Sequence, residues 1–345
     1  MNILGVGLGS FGDVLNVATV GDEIRRNGHS FSIICDPHHQ DKLSNLDIQF
    51  VNPNLSASLA LGSAGDSPRK TIFTPNEFLN FYQNQAEAIT EAALSYQSQV
   101  DLVITSGGTR QVERFHGKFR APVVVLITEP VKLSPHQKEV LEDSWRAFKS
   151  PLLIAVYDAK VFEEELNLEN LFYSGFFQHT GNGCTSIKKA DIGLSLGSME
   201  TTYAQQCLTN LSQVITEMGL TAWRLGSTTL PISESSIQAH PRVILDIALD
   251  NCDLLIHHGG LGTIGHVLRK SKPNIIVPQF QMQSNWANQL HKLKLCEYLP
   301  EPTPILIRQK IESAKQLQMA NASKFAHNGI SSSSAKIQEI YQNNG

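Results

Sequence analysis

The sequence predicts an α/β protein built as two parallel-sheet halves, on three observations. Short runs rich in Val and Ile alternate with longer amphipathic stretches, the pattern of strand–helix units on a sheet buried on both faces. Residues 178–190, Gln-His-Thr-Gly-Asn-Gly-Cys-Thr-Ser-Ile-Lys-Lys-Ala, are polar and aperiodic and read as a linker, after which the alternation restarts. The length of 345 residues exceeds what one core usually carries, at roughly 100–200 residues per domain.

In the first half the apolar runs at 2–6, 30–35, 47–51, 101–105 and 122–127 read as strands. A helix fits 12–27 and stops at Gly28, a residue able to take positive φ. A second, over 75–97, carries Phe78, Phe81 and Tyr82 at helical spacing, which suits a core face. Past the linker, strands fit 191–196, 221–225, 253–257 and 274–278, with helices near 200–218, 262–270 and 284–294. A serine patch at 331–334 is expected to interrupt the final polar helices, the last of them over 335–341. The expected domains are 1–180 and 190–325, followed by a C-terminal helix over 326–345 able to cross back to the first.

Composition narrows the function. Lys+Arg number 28 against 32 Asp+Glu, a net charge of −4, which is no basis for binding nucleic acid or an anionic membrane. With 41% hydrophobic and 17% charged residues the chain can bury a core and is not disordered. Its longest apolar run, 121–127, falls far short of the ~20 residues that span a bilayer. The opening Met1-Asn2-Ile3-Leu4-Gly5 lacks a basic segment and reads as a first buried strand rather than an export signal, so the expected location is the cytoplasm. Cys35, Cys184, Cys207, Cys252 and Cys296 are odd in number and scattered, which suits small buried hydrophobes rather than a disulfide framework or a metal site.

Gly7-Leu8-Gly9-Ser10-Phe11-Gly12 fits G-x-G-x-x-G between a strand and a helix, and Asp36 ends the next strand where a ribose-binding carboxylate would sit. The glycines would let the backbone approach a pyrophosphate at a helix N-terminus. Taken instead as Gly9-Ser10-Phe11-Gly12-Asp13, the same turn presents the Asp13 carboxylate at the carboxyl edge of the sheet, where open α/β sheets bind ligands. Asp13 would then be a general base, or simply a first-turn acid favoured by the helix dipole by ~0.3–1 kcal/mol. The first half alone leaves these readings open.

The second half carries the more specific segment. A buried strand over 253–257 runs into His257-His258-Gly259-Gly260-Leu261-Gly262-Thr263 and then a helix. Backbone N–H groups of Gly262 and Thr263, the Thr263 hydroxyl and the His258 imidazole converge at one helix N-terminus, a place for a diphosphate. Adjacent histidines at a strand end point to opposite faces and no third ligand has metal spacing, so no metal site is expected. Further on, a strand ends at Pro278 and the loop Gln279-Phe280-Gln281-Met282-Gln283-Ser284-Asn285-Trp286-Ala287-Asn288 enters a helix.

The stretch from His257 to Asn288 resembles the signature region of inverting, metal-independent GT-B glycosyltransferases that use nucleotide sugars. The closest resemblance is to the bacterial branch that glycosylates macrolides, glycopeptides, sterols and other small lipophilic acceptors. The turn from Gly9 to Asp13 resembles that family's Gly-Ser-x-Gly-Asp turn, and Asp191-Ile192-Gly193-Leu194-Ser195-Leu196-Gly197-Ser198-Met199 resembles the start of its C-terminal domain. The likeness spans roughly residues 1–295. It implies two Rossmann-like doubly wound parallel-sheet domains facing across a cleft, with the acceptor held by the first and a nucleotide-diphosphate sugar, as co-substrate rather than cofactor, by the second. It implies that His258, Gly262 and Thr263 hold the diphosphate, that Ser198 lies near the phosphates and that Gln283 reaches the sugar hydroxyls. Asp13 would be the catalytic base, with Ser10, Phe11 and Phe78 beside the acceptor.

The departures from the family pattern are Met282 where an Asp usually grips sugar hydroxyls, His266 where a Glu commonly binds the ribose, and Ser271 in place of a glycine. Both Met282 and His266 remain expected donor-site positions. A thioether accepts no useful hydrogen bond, so losing the charged acceptor costs on the order of 1.5–3 kcal/mol toward a hydroxylated sugar. The chain is also short for the family, which implies trimmed acceptor loops around 62–70. The implied reaction is one displacement at the anomeric carbon, Asp13 taking the acceptor proton. An ordinary carboxylate is a weak base toward an alcohol, so Asp13 would act late or through a histidine, with His29, His116 and His136 candidates by residue type alone. The rival readings are a catalytically inactive partner protein of the same fold, a nucleotide-sugar epimerase and a nicotinamide oxidoreductase.

Overall fold

The computed structural model describes residues 1–53, 75–107, 114–115, 117–128, 135–162, 166–179, 185–197, 202–226, 237–240, 243–325 and 328–344. Ser198, His116, Cys184 and the 62–70 stretch lie outside them, as does the side chain of Phe78. The chain divides into two compact units: the first holds the described residues up to His179 together with those from Asn328 onward, and the second holds those between.

The first unit begins with β1 (Asn2–Val6), α1 (Phe11–Arg26), β2 (Ser30–Ile34), a 3-10 helix (Pro37–Leu43) and β3 (Gln49–Val51). Then come α2 (Pro75–Leu94), β4 (Leu102–Gly107), β5 (Val123–Ile127), α3 (Pro135–Phe148), β6 (Leu153–Ala155), α4 (Ala159–Phe162) and β7 (Leu171–Tyr173). Its seven strands run parallel in the order β3-β2-β1-β4-β5-β6-β7. Every residue of β4 and β5 is buried, which is why these runs are continuously apolar rather than alternating.

The second unit contains β8 (Ala190–Ser195), α5 (Thr202–Glu217), β9 (Ala222–Leu225), β10 (Ile237–His240), α6 (Leu245–Asp250), β11 (Cys252–His257) and α7 (Leu261–Arg269). It closes with β12 (Asn274–Ile276), α8 (Gln281–Lys292), β13 (Glu297–Tyr298), α9 (Pro304–Ala314) and a 3-10 helix (Met319–Phe325). Its parallel sheet has the order β10-β9-β8-β11-β12-β13. The core joins Ile192, Leu194, Leu254, Ile256, Ile275 and Val277 of the sheet to Leu211, Val214 and Ile215 of α5. Both units place their first strand beside their fourth, so strand order reverses at β1 in one and at β8 in the other. Ligands bind at such switch points, beyond the carboxyl ends of the strands.

The last helix, α10 (Gly329–Asn344), packs along α1 within the first unit. It runs straight through 331–334, which corrects the expected break there. Ser332 and Ser333 donate their hydroxyls to the carbonyls of Asn328 and Gly329, and Ser333 and Ser334 are buried. A serine that returns its hydroxyl to the preceding turn keeps its polar group satisfied inside a helix. The short strands β6, β7, β10 and β13 and the helices α3, α6 and α9 had no counterpart in the sequence reading. A strand of two to four residues is shorter than the window over which periodicity can be read. The four described cysteines are free and buried.

Candidate functional site

In the first unit the chain leaves β1, bonds Gly7 N–H to the Ile34 carbonyl at 2.9 Å and turns through Gly9, whose φ of +86° suits glycine. A side chain there would also collide with Asp13, since a Cβ would lie 2.9 Å from its Oδ2. Asp13, in the first turn of α1, folds its carboxylate back on the turn. Oδ2 accepts from the Ser10 N–H at 3.0 Å and the Ser10 hydroxyl at 2.8 Å, and Oδ1 accepts from the Thr128 hydroxyl at 3.1 Å. Ser106 of β4 fixes the Asp13 main chain by donating to its carbonyl at 2.8 Å. Burial raises the Asp13 pKa above its ordinary value, while the donors from Ser10 and Thr128 pull the other way. The outcome is an oriented carboxylate with more affinity for a proton than a free one.

Phe11 is half-buried, its ring 5.6 Å from that of His39 and 5.3 Å from the Lys42 ammonium. His39, on the first 3-10 helix, is 3% exposed, and its ring lies against the Gly9 backbone. Burial, reinforced by the charges of Lys42 and His38, pushes its pKa down to about 3. It is the histidine beside the Asp13 turn, and sequence reasoning missed it. The available signal was Asp36-Pro37-His38-His39 directly after β2, at the same sheet edge as the turn. Of the three histidines chosen by type, His29 contacts the N-terminal amine through Nδ1 at 3.3 Å and His136 is exposed. Asp36 accepts from the His38 N–H at 2.7 Å with one oxygen and from the Gln85 amide with the other, so its carboxylate caps the 3-10 helix.

In the second unit, β11 delivers His257 into full burial. Asn274 donates its amide to the carbonyls of Lys272 and Leu295, at 3.2 and 2.9 Å, so its Oδ1 faces His257 Nε2 at 3.2 Å and must accept from it. The proton therefore sits on Nε2, and Nδ1 is free to accept the Gly259 N–H at 3.2 Å. Burial pushes the His257 pKa down to about 3, so this neutral tautomer persists. It pins the turn at Gly259, whose φ is +90°. Asn274→Ala would leave the buried Nε2–H unpaired and is expected to cost about 1–3 kcal/mol, read from chemical denaturation midpoints.

His258 follows on the other side of the strand. Its N–H donates to the Ser195 carbonyl at 3.2 Å, and its ring lies between Gly197 and Gly260, where a Cβ would come within 3.2 and 2.6 Å of it. Gly260 caps α7 without a side chain, so no side-chain bond consumes the leading N–H groups. Leu261, Gly262 and Thr263 are half-buried there. Uncapped N–H groups, a hydroxyl and an imidazole at one helix N-terminus can bind a doubly phosphorylated group.

The remaining donor-site candidates divide. The first turn of α8 abuts the loop, a Cβ on Gly259 lying 3.8 Å from Gln283 Cβ. Gln283 is buried with Oε1 accepting the Gln279 N–H at 2.7 Å, which fixes the orientation of its amide. Met282 is 38% exposed in that turn, which contains no acidic side chain. His266 is 4% exposed, its Nδ1 2.7 Å from Asp246 Oδ1, and Arg269 pairs with the same carboxylate. The hydrogen bond from His266 leads the causes that pull the Asp246 pKa down to about 2. That partner on α6 was invisible in the sequence. Among the described residues no group of three or more His, Cys, Asp or Glu is placed to hold a metal ion, and no helix is long and apolar enough to cross a membrane.

Neither a protein-family model nor a curated protein matches the sequence. Solved structures do match over nearly the whole chain. The glycosyltransferase SnogD from Streptomyces nogalater is 15% identical with a TM-score of 0.71, covering 99% of this chain and 100% of its own. The spinosyn forosaminyltransferase SpnP is 13% identical with a TM-score of 0.72, covering 99% of each. The glycosyltransferase VinC in complex with DTDP is 14% identical with a TM-score of 0.68, covering 99% and 100%. This chain has their fold, the GT-B arrangement of two doubly wound parallel-sheet units that its sequence predicts.

Proposed function

We propose that the chain is a glycosyltransferase that moves a sugar from a nucleoside diphosphate to a hydroxyl of a small lipophilic acceptor, with inversion and without a metal. One observation carries the reading: the uncapped N-terminus of α7 with His258 and Thr263 beside it. In this reading the acceptor oxygen attacks the anomeric carbon while Asp13 takes its proton and the bond to the diphosphate breaks on the opposite face. The raised proton affinity of Asp13 suits it to the task, because a base works best when its pKa approaches the working pH. The dipole of α7 and its N–H groups meet charge as it grows on the leaving phosphate, the role that a metal plays elsewhere.

VinC was solved with DTDP and another neighbour of the same fold, SsfS6, with thymidine diphosphate, which makes a thymidine diphosphate sugar the first donor to try. The test is a panel of nucleotide sugars scored by thermal stabilisation and then by turnover with acceptors. A ligand at ~100 times its dissociation constant adds about 2.7 kcal/mol. No stabilisation by any nucleotide sugar would remove the reading. Isomerised donor without acceptor would replace it with an epimerase, and binding without turnover would leave an inactive partner protein.

The exposed thioether of Met282 suits a sugar with no hydroxyl on the edge facing α8. Met282→Asp restores a charged acceptor and is expected to shift the kcat/KM ratio toward a hydroxylated sugar such as glucose, over a deoxysugar, by about ten-fold. Measuring both donors with one acceptor checks it. An unchanged ratio would place the sugar elsewhere.

A further inference from the structure

The two neighbouring histidines of the loop are held in opposite protonation patterns. His257 carries its proton on Nε2, fixed by Asn274. His258 places Nδ1 3.3 Å from the Ser195 carbonyl oxygen. A carbonyl only accepts, so Nδ1 of His258 carries the proton, and in the neutral ring Nε2 bears a lone pair. The other neutral tautomer would aim a lone pair at that carbonyl, and Gly197 and Gly260 pack against the ring. Resting on the reading of this loop as a diphosphate site, we propose that His258 takes up a proton from solvent when the donor diphosphate binds, so that Nδ1–H keeps the Ser195 carbonyl and the new Nε2–H donates to a phosphate oxygen.

The balance is simple. One proton leaves water or buffer and adds to the Nε2 lone pair, no bond of the donor breaks, and the bound pair is an imidazolium beside a diphosphate diester. Burial holds His258 below its ordinary pKa, with the carbonyl bond only partly offsetting it. Among the described residues, the ring packs on Gly197 from the end of β8, on the Ser195 carbonyl and on Gly260 of its own turn, all uncharged. The titratable neighbour is His257, itself kept neutral. The diphosphate therefore brings a counter-charge to a ring whose described contacts are uncharged. The same imidazolium is then in place when the sugar departs and the nucleoside diphosphate gains a further negative charge.

The test is calorimetric titration of the full chain with thymidine diphosphate glucose. Both of its phosphates are esterified, so the probe has no proton to lose or gain between pH 6 and 8. Titration at pH 7 in buffers of different ionisation enthalpy is expected to report uptake of close to one proton. Affinity is expected to weaken about ten-fold from pH 7 to pH 8. His258→Gln, which keeps an amide donor, is expected to bind more weakly with no uptake and a flat pH profile. Binding by the wild type with no proton uptake and the same affinity at both pH values would overturn the proposal while leaving the diphosphate site standing. If neither this probe nor uridine diphosphate glucose binds at any pH, the diphosphate reading of the loop fails and the proposal fails with it.

Discussion

Asp13→Asn is expected to lower kcat by about 10²–10⁴-fold, the usual worth of a general base, while leaving the affinity for a nucleoside diphosphate within about two-fold of the wild type. Steady-state kinetics with binding measured separately would show the split. The same variant is expected to unfold at a higher temperature at pH 7. Asp13 has a folded-state pKa above its unfolded value of 3.8, so the folded chain holds the proton to higher pH. Ionising this half-buried carboxylate costs stability, and the cost grows as pH rises from about 4 through the folded pKa, then stays constant. Asparagine removes that cost and retains an oxygen for the Ser10 donors. The stability gain should shrink as pH falls below the folded pKa of the wild-type carboxyl, which then keeps its proton in the folded chain. A variant with normal turnover would move the base elsewhere, with His39 the next residue to replace. A variant that is less stable at pH 7 would mean that the bonds from Ser10 and Thr128 outweigh the desolvation.

Acid should destabilise the chain before its carboxylates titrate. His39 and His257 are buried neutral with pKa values pushed down to about 3, against 6.5 for the free side chain. A depressed histidine pKa means that the unfolded chain binds protons which the folded chain refuses. The stability these residues contribute is fully present above about pH 6.5 and is lost as pH falls from there toward 3. Each contributes a slope of roughly 1.4 kcal/mol per pH unit within that window. From pH 7 to pH 5 each should remove about 2 kcal/mol from the unit that holds it, His39 from the first and His257 from the second, a sizeable share of the 5–15 kcal/mol that holds a typical domain. Urea midpoints measured between pH 5 and 8 would show the slope. His39→Gln should remove part of it, since glutamine does not titrate. A profile flat from pH 7 to pH 5 would mean that these histidines find proton-accepting partners when the chain is acidified.

How much of the site could be read from the sequence depended on how far apart its parts lie along the chain. The turn from Gly9 to Asp13 and the loop from His257 to Thr263 each lie between one strand and the next helix. Their backbone path is dictated locally by glycine and by the start of a helix, so both were visible in the order of residues. The groups that give them their chemistry lie elsewhere. Thr128 is 115 positions from the carboxylate it holds, and Ser106 is 93. They meet Asp13 because β4 pairs with β1 and β5 with β4. The Ser195 carbonyl reaches His258 because β8 pairs with β11. Asn274 meets His257 because β12 lies on the other side of β11.

By itself the sequence determined the class of fold, the two strand–helix turns and the candidate residues on them. Those follow from hydrophobic periodicity and from backbone freedom, which act over a few neighbouring residues. Only the tertiary structure decided where each proton sits. It spent Asp36 on a cap, tied His266 to Asp246, carried α10 unbroken through four serines and set the two adjacent histidines in opposite tautomers. The reason is that a proton's position is settled by the group it faces, and strands far apart in the chain bring that group into place.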